Sequence, residues 1–131
     1  MGQKLQPEHA TTILVVEDEF IIALDLSETV RDMGFRVEGP YANKDHAFIA
    51  IDQEMPDVAI LDVLTGDGEV FPLADALTDA GVPIIFHSGH MRPSELQERY
   101  PMAQAAAKPC RPDRLMAMIE EARAQAKQQA H

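Results

Sequence analysis

Five short apolar runs alternate with helix-like stretches along the chain, and this alternation constrains the fold more than any other feature. The runs lie at 12–16, 35–37, 57–62, 82–86 and 102–107. The stretches after them carry apolar residues every three or four positions, as one face of a helix does. In the first stretch these are Ile22, Leu26, Val30 and Met33, and in the last Leu115, Met118, Ile119 and Ala122. A strand followed by a helix, five times over, predicts a parallel sheet with helices on both faces. The last run is the weakest strand prediction, because alanine is a poor strand former.

Glycine, asparagine and proline mark the ends of the predicted helices. Gly34 and Gly81 follow the first and third helices as C-caps, and Asn43 can cap the second. Pro112 suits the first turn of the last helix. A short fourth helix is predicted over 93–100, between two prolines.

Length and composition indicate one globular domain of the cytosol. The chain has 131 residues, of which 46% are hydrophobic and 25% charged, as in ordinary domains. It has no apolar run of about 18 residues and no secretory signal, and its single cysteine, Cys110, excludes an internal disulfide. With a net charge of −11, nucleic acid is a poor candidate ligand, because phosphates require lysine and arginine. We expect a flexible arm over 1–10, the domain over 11–124 and a frayed tail over 125–131.

Charged and polar side chains follow four of the predicted strands. Glu17 and Asp18 follow the first strand, Asp62 the third, Ser88 the fourth and Lys108 the fifth. The carboxyl ends of parallel strands share one edge of the sheet, where such folds bind ligands. We therefore expect three carboxylates, a hydroxyl and an ammonium to converge there.

Three neighbouring carboxylates repel one another, so one of them is protonated unless a cation compensates. Lys108 supplies one positive charge, and a divalent ion would supply the rest. Oxygen ligands favour Mg²⁺, with Mn²⁺ as a second choice. A metal and a lysine that neutralise phosphoryl oxygens, while an aspartate oxygen attacks phosphorus in line, are what phosphoryl transfer needs.

Four short segments together resemble the receiver domain of two-component response regulators, over about residues 12–123. They are Val16-Glu17-Asp18-Glu19, Leu61-Asp62, Ser88-Gly89 and Lys108-Pro109. The resemblance implies an α/β fold of the flavodoxin-like kind. It is a doubly wound, five-stranded parallel sheet with strand order 2-1-3-4-5.

The resemblance also implies a role for each matching residue. Asp62 would accept a phosphoryl group from a sensor histidine kinase or a histidine phosphotransfer protein. Ser88 and Lys108 would bind the phosphoryl oxygens. Mg²⁺ would be held by the carboxylates of Glu17, Asp18 and Asp62 and by the backbone carbonyl of Leu64. The protein would not be an enzyme beyond its own phosphorylation and dephosphorylation. It would work through an unidentified downstream protein, because no effector domain follows residue 131.

Within the family, the chain resembles an alphaproteobacterial single-domain group with a Phe-Ala-Thr-Gly-x-Tyr motif. The matching segment here reads Phe86-His87-Ser88-Gly89-His90-Met91, a partial match. Two further positions depart from the usual pattern. Ala105 replaces a bulky residue three before the lysine, and Cys110 replaces the phenylalanine that often follows Lys-Pro.

Because residue 105 is not bulky, the short fourth helix is the expected moving element. Its apolar anchors are few, Leu96 with Tyr100 at the edge, and short helices depend on tertiary contacts. We expect residues 89–101 to be the segment that reorders on activation. His87 and His90 are read as packing or surface residues, because no third nitrogen or sulfur ligand accompanies them. Cys110 is read as a small buried packing residue.

Three alternatives remain at this point. A phosphohydrolase of the haloacid-dehalogenase type also uses a strand-end aspartate, but it needs a second aspartate where this chain has Leu64. A flavin-binding module would have its phosphate repelled by the acidic run at 17–19. The third alternative is an adaptor of the same fold that works without phosphorylation.

Overall fold

A computed structural model of the chain describes residues 10–89 and 91–129. All but the last residue of the predicted arm, together with His90 and residues 130–131, lie outside the described residues. The strands are β1 (Thr12–Val16), β2 (Arg36–Tyr41), β3 (Val58–Leu61), β4 (Leu64–Thr65), β5 (Gly68–Glu69), β6 (Ile84–Ser88) and β7 (Gln104–Ala107). The helices are α1 (Phe20–Asp32), α2 (Lys44–Gln53), α3 (Phe71–Asp79), α4 (Pro93–Arg99) and α5 (Pro112–Gln129). Of the helices within this description, none combines the length and hydropathy that a bilayer crossing requires.

Five parallel strands form the main sheet, in the order β2-β1-β3-β6-β7. The predicted α/β fold and its strand order 2-1-3-4-5 are therefore confirmed. The strands β1, β3 and β6 in the middle of the sheet are buried along their whole length. This burial explains the unbroken apolar runs at 13–16, 58–61 and 84–86.

Helices cover both faces of the sheet, and the pleat sends alternate side chains to each. Ile13 and Val15 pack with α1 and α5, whereas Leu14 and Val16 pack on the side of α2, α3 and α4. The predicted inner face of α5 is confirmed, with Leu115, Met118, Ile119 and Ala122 all buried. The inner face of α1 is rotated from its prediction: Ala23, Leu26, Ser27 and Val30 are buried, while Ile22 and Met33 are only half-buried.

Two elements run further than predicted. The strand β2 continues through Gly39 and Pro40 to Tyr41 because it lies at the edge of the sheet, where a proline without an N–H is tolerated. Gly39 has φ +110°, and a Cβ there would lie 2.8 Å from the Val15 carbonyl oxygen. The helix α5 continues to Gln129, five residues past the predicted end of the domain. Within this extension the Gln125 amide donates to the carbonyl of Met102 at 3.0 Å.

The segment after Asp62 is a small hairpin of β4 and β5. Asp67 at its tip accepts hydrogen bonds from the backbone N–H groups of Lys44 (3.0 Å) and Asp45 (3.2 Å), at the start of α2. It also accepts one from the Thr65 hydroxyl (2.8 Å). These bonds outweigh slight burial and lower the pKa of Asp67 to about 2. The hairpin is thereby fastened to α2, whose predicted cap, Asn43, also accepts from the His46 N–H.

The contacts of Tyr100, just after α4, overturn the expectation that it lies at an edge. Tyr100 is 8% exposed, and its ring stacks on Phe71 with centroids 5.9 Å apart. Its hydroxyl donates to Asp75 on α3 at 2.7 Å, and the Arg99 guanidinium lies 3.8 Å from the centre of the Phe71 ring. Tertiary contacts at its carboxyl end therefore hold this short helix on the core. Reordering of residues 89–101 stays a prediction.

Candidate functional site at the carboxyl edge of the sheet

Two acidic residues are buried where adjacent central strands end. Glu17 follows β1 and Asp62 follows β3, and each is only 2% exposed. Their backbones continue the sheet, because the Glu17 N–H donates to the Tyr41 carbonyl and the Asp62 N–H to the Val16 carbonyl, each at 2.9 Å. The sheet therefore fixes both carboxylates at one edge.

Lys108, directly after β7, is the cation that faces these carboxylates. Its Nζ lies 2.9 Å from Glu17 Oε1 and 3.1 Å from Asp62 Oδ2. A third carboxylate, that of Glu19, accepts from the same nitrogen at 3.2 Å. Burial disfavours the ammonium, but the bonds to Glu17 and Asp62 outweigh it and raise the pKa of Lys108. A permanently charged lysine thus joins the ends of β1, β3 and β7.

The third predicted carboxylate completes an acidic cluster. Oxygen atoms of Glu17, Asp18 and Asp62 lie within 4.8 Å of one another, a spacing that can hold a metal ion. Asp18 is exposed, so the cluster opens to solvent. Among the residues that the structure describes, Asp62 Oδ1 is a buried oxygen without a hydrogen-bond partner. Crowded carboxylates with an unpartnered buried oxygen fit a hard divalent cation.

The pKa values of Asp62 and Glu17 also show that the cluster has too little positive charge. Burial, followed by the charge of Glu17, raises the pKa of Asp62 to about 6, although Lys108 opposes the shift. Burial also works against ionisation of Glu17. The facing imidazole of His87, the ammonium of Lys108 and the Glu19 N–H together outweigh burial and lower its pKa. Glu17 is therefore kept ionised, whereas the Asp62 carboxylate takes up a proton far more readily than an ordinary aspartate.

Ser88 and Leu64 are the remaining predicted site residues. Ser88 ends β6 and is 1% exposed. Its carbonyl accepts from the Lys108 N–H at 3.1 Å, and its hydroxyl oxygen accepts from the Met91 N–H at 3.3 Å. Leu64 begins β4, two residues after Asp62. Its carbonyl as a metal ligand stays a prediction.

Two contacts of the site were not predicted. Glu19 reaches Lys108, and its place in the acidic run at 17–19 was the available signal. His87, on β6, is buried with its Nδ1 3.9 Å from Glu17 Oε1. Nothing in the sequence distinguished it from a packing residue. Cys110 is half-buried, and its Sγ lies 3.7 Å from the carbonyl of Arg111.

Comparison with known proteins finds the same fold and similar sequences among signalling regulators. The phyllosphere-induced regulator PhyR of Methylorubrum extorquens is 32% identical over 124 residues, which span 92% of this chain. The solution structure of the PhyR response regulator REC domain of Erythrobacter litoralis superposes with a TM-score of 0.74 at 27% identity, covering 86% of this chain and 89% of that one. The chain belongs to the response regulator receiver domains. No protein-family model matches this receiver domain.

The chain is shorter than two of the relatives that it matches. It spans 46% of the Methylorubrum protein, about half its length. The anti-anti-sigma factor PhyR from Bartonella quintana matches 95% of this receiver domain but only 53% of its own chain, with a TM-score of 0.74 and 25% identity. The similarity therefore concerns the receiver part of those proteins.

Replacing Asp62 with asparagine is expected to stabilise the receiver domain when no divalent cation is present. Because the pKa of Asp62 is raised to about 6, the folded protein at higher pH holds a carboxylate whose charge it disfavours. A neutral amide removes that penalty. Urea unfolding in EDTA at about pH 8 should show a gain of about 1–3 kcal/mol in the free energy of unfolding.

The sign of this effect follows from proton linkage. Since an unfolded aspartate titrates near pH ~3.9, the folded state binds the additional proton between about pH 4 and 6, and the contribution of Asp62 to stability is lost as pH rises through 6. The gain in Asp62→Asn should therefore shrink at about pH 5. Asp52→Asn, an exposed change on α2, is the control and should have little effect at either pH. A loss of stability in Asp62→Asn at the higher pH would contradict the account.

Proposed function

We propose that this receiver domain accepts a phosphoryl group on Asp62 from a sensor histidine kinase or a histidine phosphotransfer protein. The observation that carries the proposal is the contact between Asp62 and Lys108, 3.1 Å apart, inside a cluster of carboxylates. Its Oδ1 has no partner among the described residues. Asp62 can therefore engage a second group without losing its bond to Lys108.

In the proposed reaction an oxygen of Asp62 attacks phosphorus as the bond to the donor imidazole nitrogen breaks. Asp62 must be ionised to attack, and Lys108 favours that form. The ammonium also acts as a point charge toward phosphoryl oxygens. Ser88, at the end of β6, supplies a hydroxyl that can donate to the new phosphoryl group. Its buried position makes it suited to report the modification to the segment that follows.

Mg²⁺ is the metal that we propose for the site, with Mn²⁺ as a substitute. Glu17, Asp18 and Asp62 would hold it, together with the Leu64 carbonyl. When bound, it would neutralise negative charge on the phosphoryl oxygens. The exposure of Asp18 suits an ion that exchanges with solvent.

The output that we propose is contact with another protein, without catalysis on other substrates. A phosphohydrolase of the haloacid-dehalogenase type needs an acid where this chain has Leu64, an apolar side chain that is 38% exposed. An adaptor that works without phosphorylation is the remaining alternative. The experiment below separates it from the proposal.

Incubation with acetyl phosphate and Mg²⁺, followed by intact-protein mass measurement, tests the proposal. The wild-type chain should gain the mass of one phosphoryl group, and EDTA should abolish the gain. Asp62→Asn should remain unmodified, whereas Asp57→Asn, a control near the opposite end of β3, should be labelled as the wild type is. Undiminished labelling of Asp62→Asn would refute the acceptor assignment. A wild-type chain that is never labelled would favour the adaptor.

The phosphoryl donor is proposed to dock on α1 beside the site. Phe20 and Ile21 are 74% and 76% exposed, an unusual degree for large apolar residues. Ile21 also lines a groove of about 420 Å³ that reaches Lys108 and His87. An apolar surface next to the reacting carboxylate is suited to hold a protein donor while its histidine approaches.

Ile21→Ser should slow phosphotransfer from purified sensor kinases by about 10-fold, the usual effect of losing a central apolar contact. Its labelling by acetyl phosphate should be unchanged, because a small donor needs no docking surface. Ile49→Ser on α2, also exposed, is the matched control and should leave both rates unaltered. Equal slowing by the two variants would place the docking surface elsewhere.

A further inference from the structure

His87 is a buried histidine beside the site that the phosphoryl chemistry does not use. It lies on β6, between Phe86, which packs toward α3 and α4, and Ser88. The pleat therefore turns its side chain toward α1 and α5, where it lines the groove next to Lys108. Only 5% of the residue is exposed. In the motif that this segment resembles, the corresponding residue is alanine.

One nitrogen of this imidazole faces Glu17 without bonding to it. His87 Nδ1 lies 3.9 Å from Glu17 Oε1, beyond hydrogen-bond range. It is a buried nitrogen without a partner among the described residues. Buried polar atoms are nearly always paired, so an unpaired one calls for a physical explanation. Among the described residues, the carboxylates with metal-binding spacing form a cluster that does not include His87. This argues against His87 as a metal ligand.

The explanation that we favour starts from the three donors of Lys108. An ammonium has three N–H groups, and here they face the carboxylates of Glu17, Glu19 and Asp62. A phosphoryl group on Asp62 adds new acceptors within reach of the same nitrogen. Because the Asp62 carboxylate becomes an acyl phosphate, the N–H that faced it would turn to the phosphoryl oxygens and draw the ammonium away from Glu17 and Glu19. Glu19 is exposed and can turn to water, but Glu17 is buried and cannot.

We propose that His87 is a positioning residue that donates Nδ1–H to Glu17 when Lys108 turns to the phosphoryl group. A shift of the two side chains by less than 1 Å would bring the pair within the ~3 Å of a hydrogen bond. Glu17 would then keep the orientation in which it binds metal while its lysine partner moves. The inference rests on the proposed function, and it concerns a neutral imidazole with its proton on Nδ1.

A double-variant cycle on the full chain tests the inference without any phosphorylation step. Lys108→Met removes the ammonium and leaves two groups facing the Glu17 side chain, the Glu19 N–H on Oε2 and the His87 imidazole near Oε1. Mn²⁺ affinity, measured by electron paramagnetic resonance, should change less than about 2-fold in His87→Ala alone. In the Lys108→Met background the same change should weaken binding about 10-fold, the usual effect of losing an outer partner of a metal ligand.

His87→Asn is the conservative variant, because its amide nitrogen lies close to the position of Nδ1. In the Lys108→Met background it should bind Mn²⁺ within about 3-fold of the protein that keeps His87. A packing role predicts a different pattern, with Ala and Asn equally harmful and the same loss in both backgrounds. That pattern would overturn the inference.

The imidazole tautomer gives a readout that depends on neither metal nor folding of the double variants. Nitrogen-15 NMR of Lys108→Met should find the His87 proton on Nδ1, with slow exchange against solvent. A proton on Nε2 alone would overturn the inference. Failure of the proposed function would show separately, as a wild-type chain that acetyl phosphate does not label while the tautomer is as expected.

Discussion

The ion cluster of Lys108, Glu17 and Asp62 is the interaction on which the rest of this receiver domain depends. It joins the ends of three strands of one sheet, so that the fold and the site share the same contacts. Two buried carboxylates and one ammonium leave a net negative charge. Removing one partner of such a cluster leaves an uncompensated charge. The site is therefore built to receive positive charge, and the raised pKa of Asp62 is the direct sign of that need.

The surroundings of the cluster divide the domain into a reactive side and a responsive side. On the reactive side, Asp18 and the start of α1 are open to solvent, where the proposed metal ion and donor protein would approach. On the responsive side, Ser88 leads into α4, whose end is held by the stacking of Tyr100 on Phe71 and by its bond to Asp75. Ala105 on β7 and Tyr100 at the end of α4 both lie on the side of the core that holds Phe86. Tyr100 therefore supplies, from α4, the aromatic ring that β7 lacks at position 105. If α4 moves, these contacts must either break or move with it.

The sequence predicts the sheet and the site because both follow from patterns local to a strand. Residues 13–16 and 58–61 are apolar throughout, since both faces of those strands are covered. Parallel topology then brings the residue after each strand to one edge, which places Asp62 near Lys108 although they are 46 positions apart. No knowledge of individual contacts is needed for this step.

The contacts that the sequence does not predict are those between elements distant along the chain. Asp67 caps a helix that begins more than 20 positions earlier, and Tyr100 stacks on a ring of α3. Neither carries a local signal, because an aspartate in a turn and a tyrosine after a short helix are ordinary. The distance of His87 from Glu17 likewise depends on the pairing of β3 with β6. Propensity and periodicity carry no information about such partners.

The pKa of Asp62 is the quantity that tests the central claim most directly. Carbon-13 NMR of the side-chain carboxyl group can follow its titration in the intact chain, first in EDTA and then with saturating Mg²⁺. The charge imbalance predicts a midpoint of about 6 without metal and a midpoint well below the usual ~3.9 of an aspartate with it. An ordinary midpoint in EDTA that Mg²⁺ does not move would contradict the account.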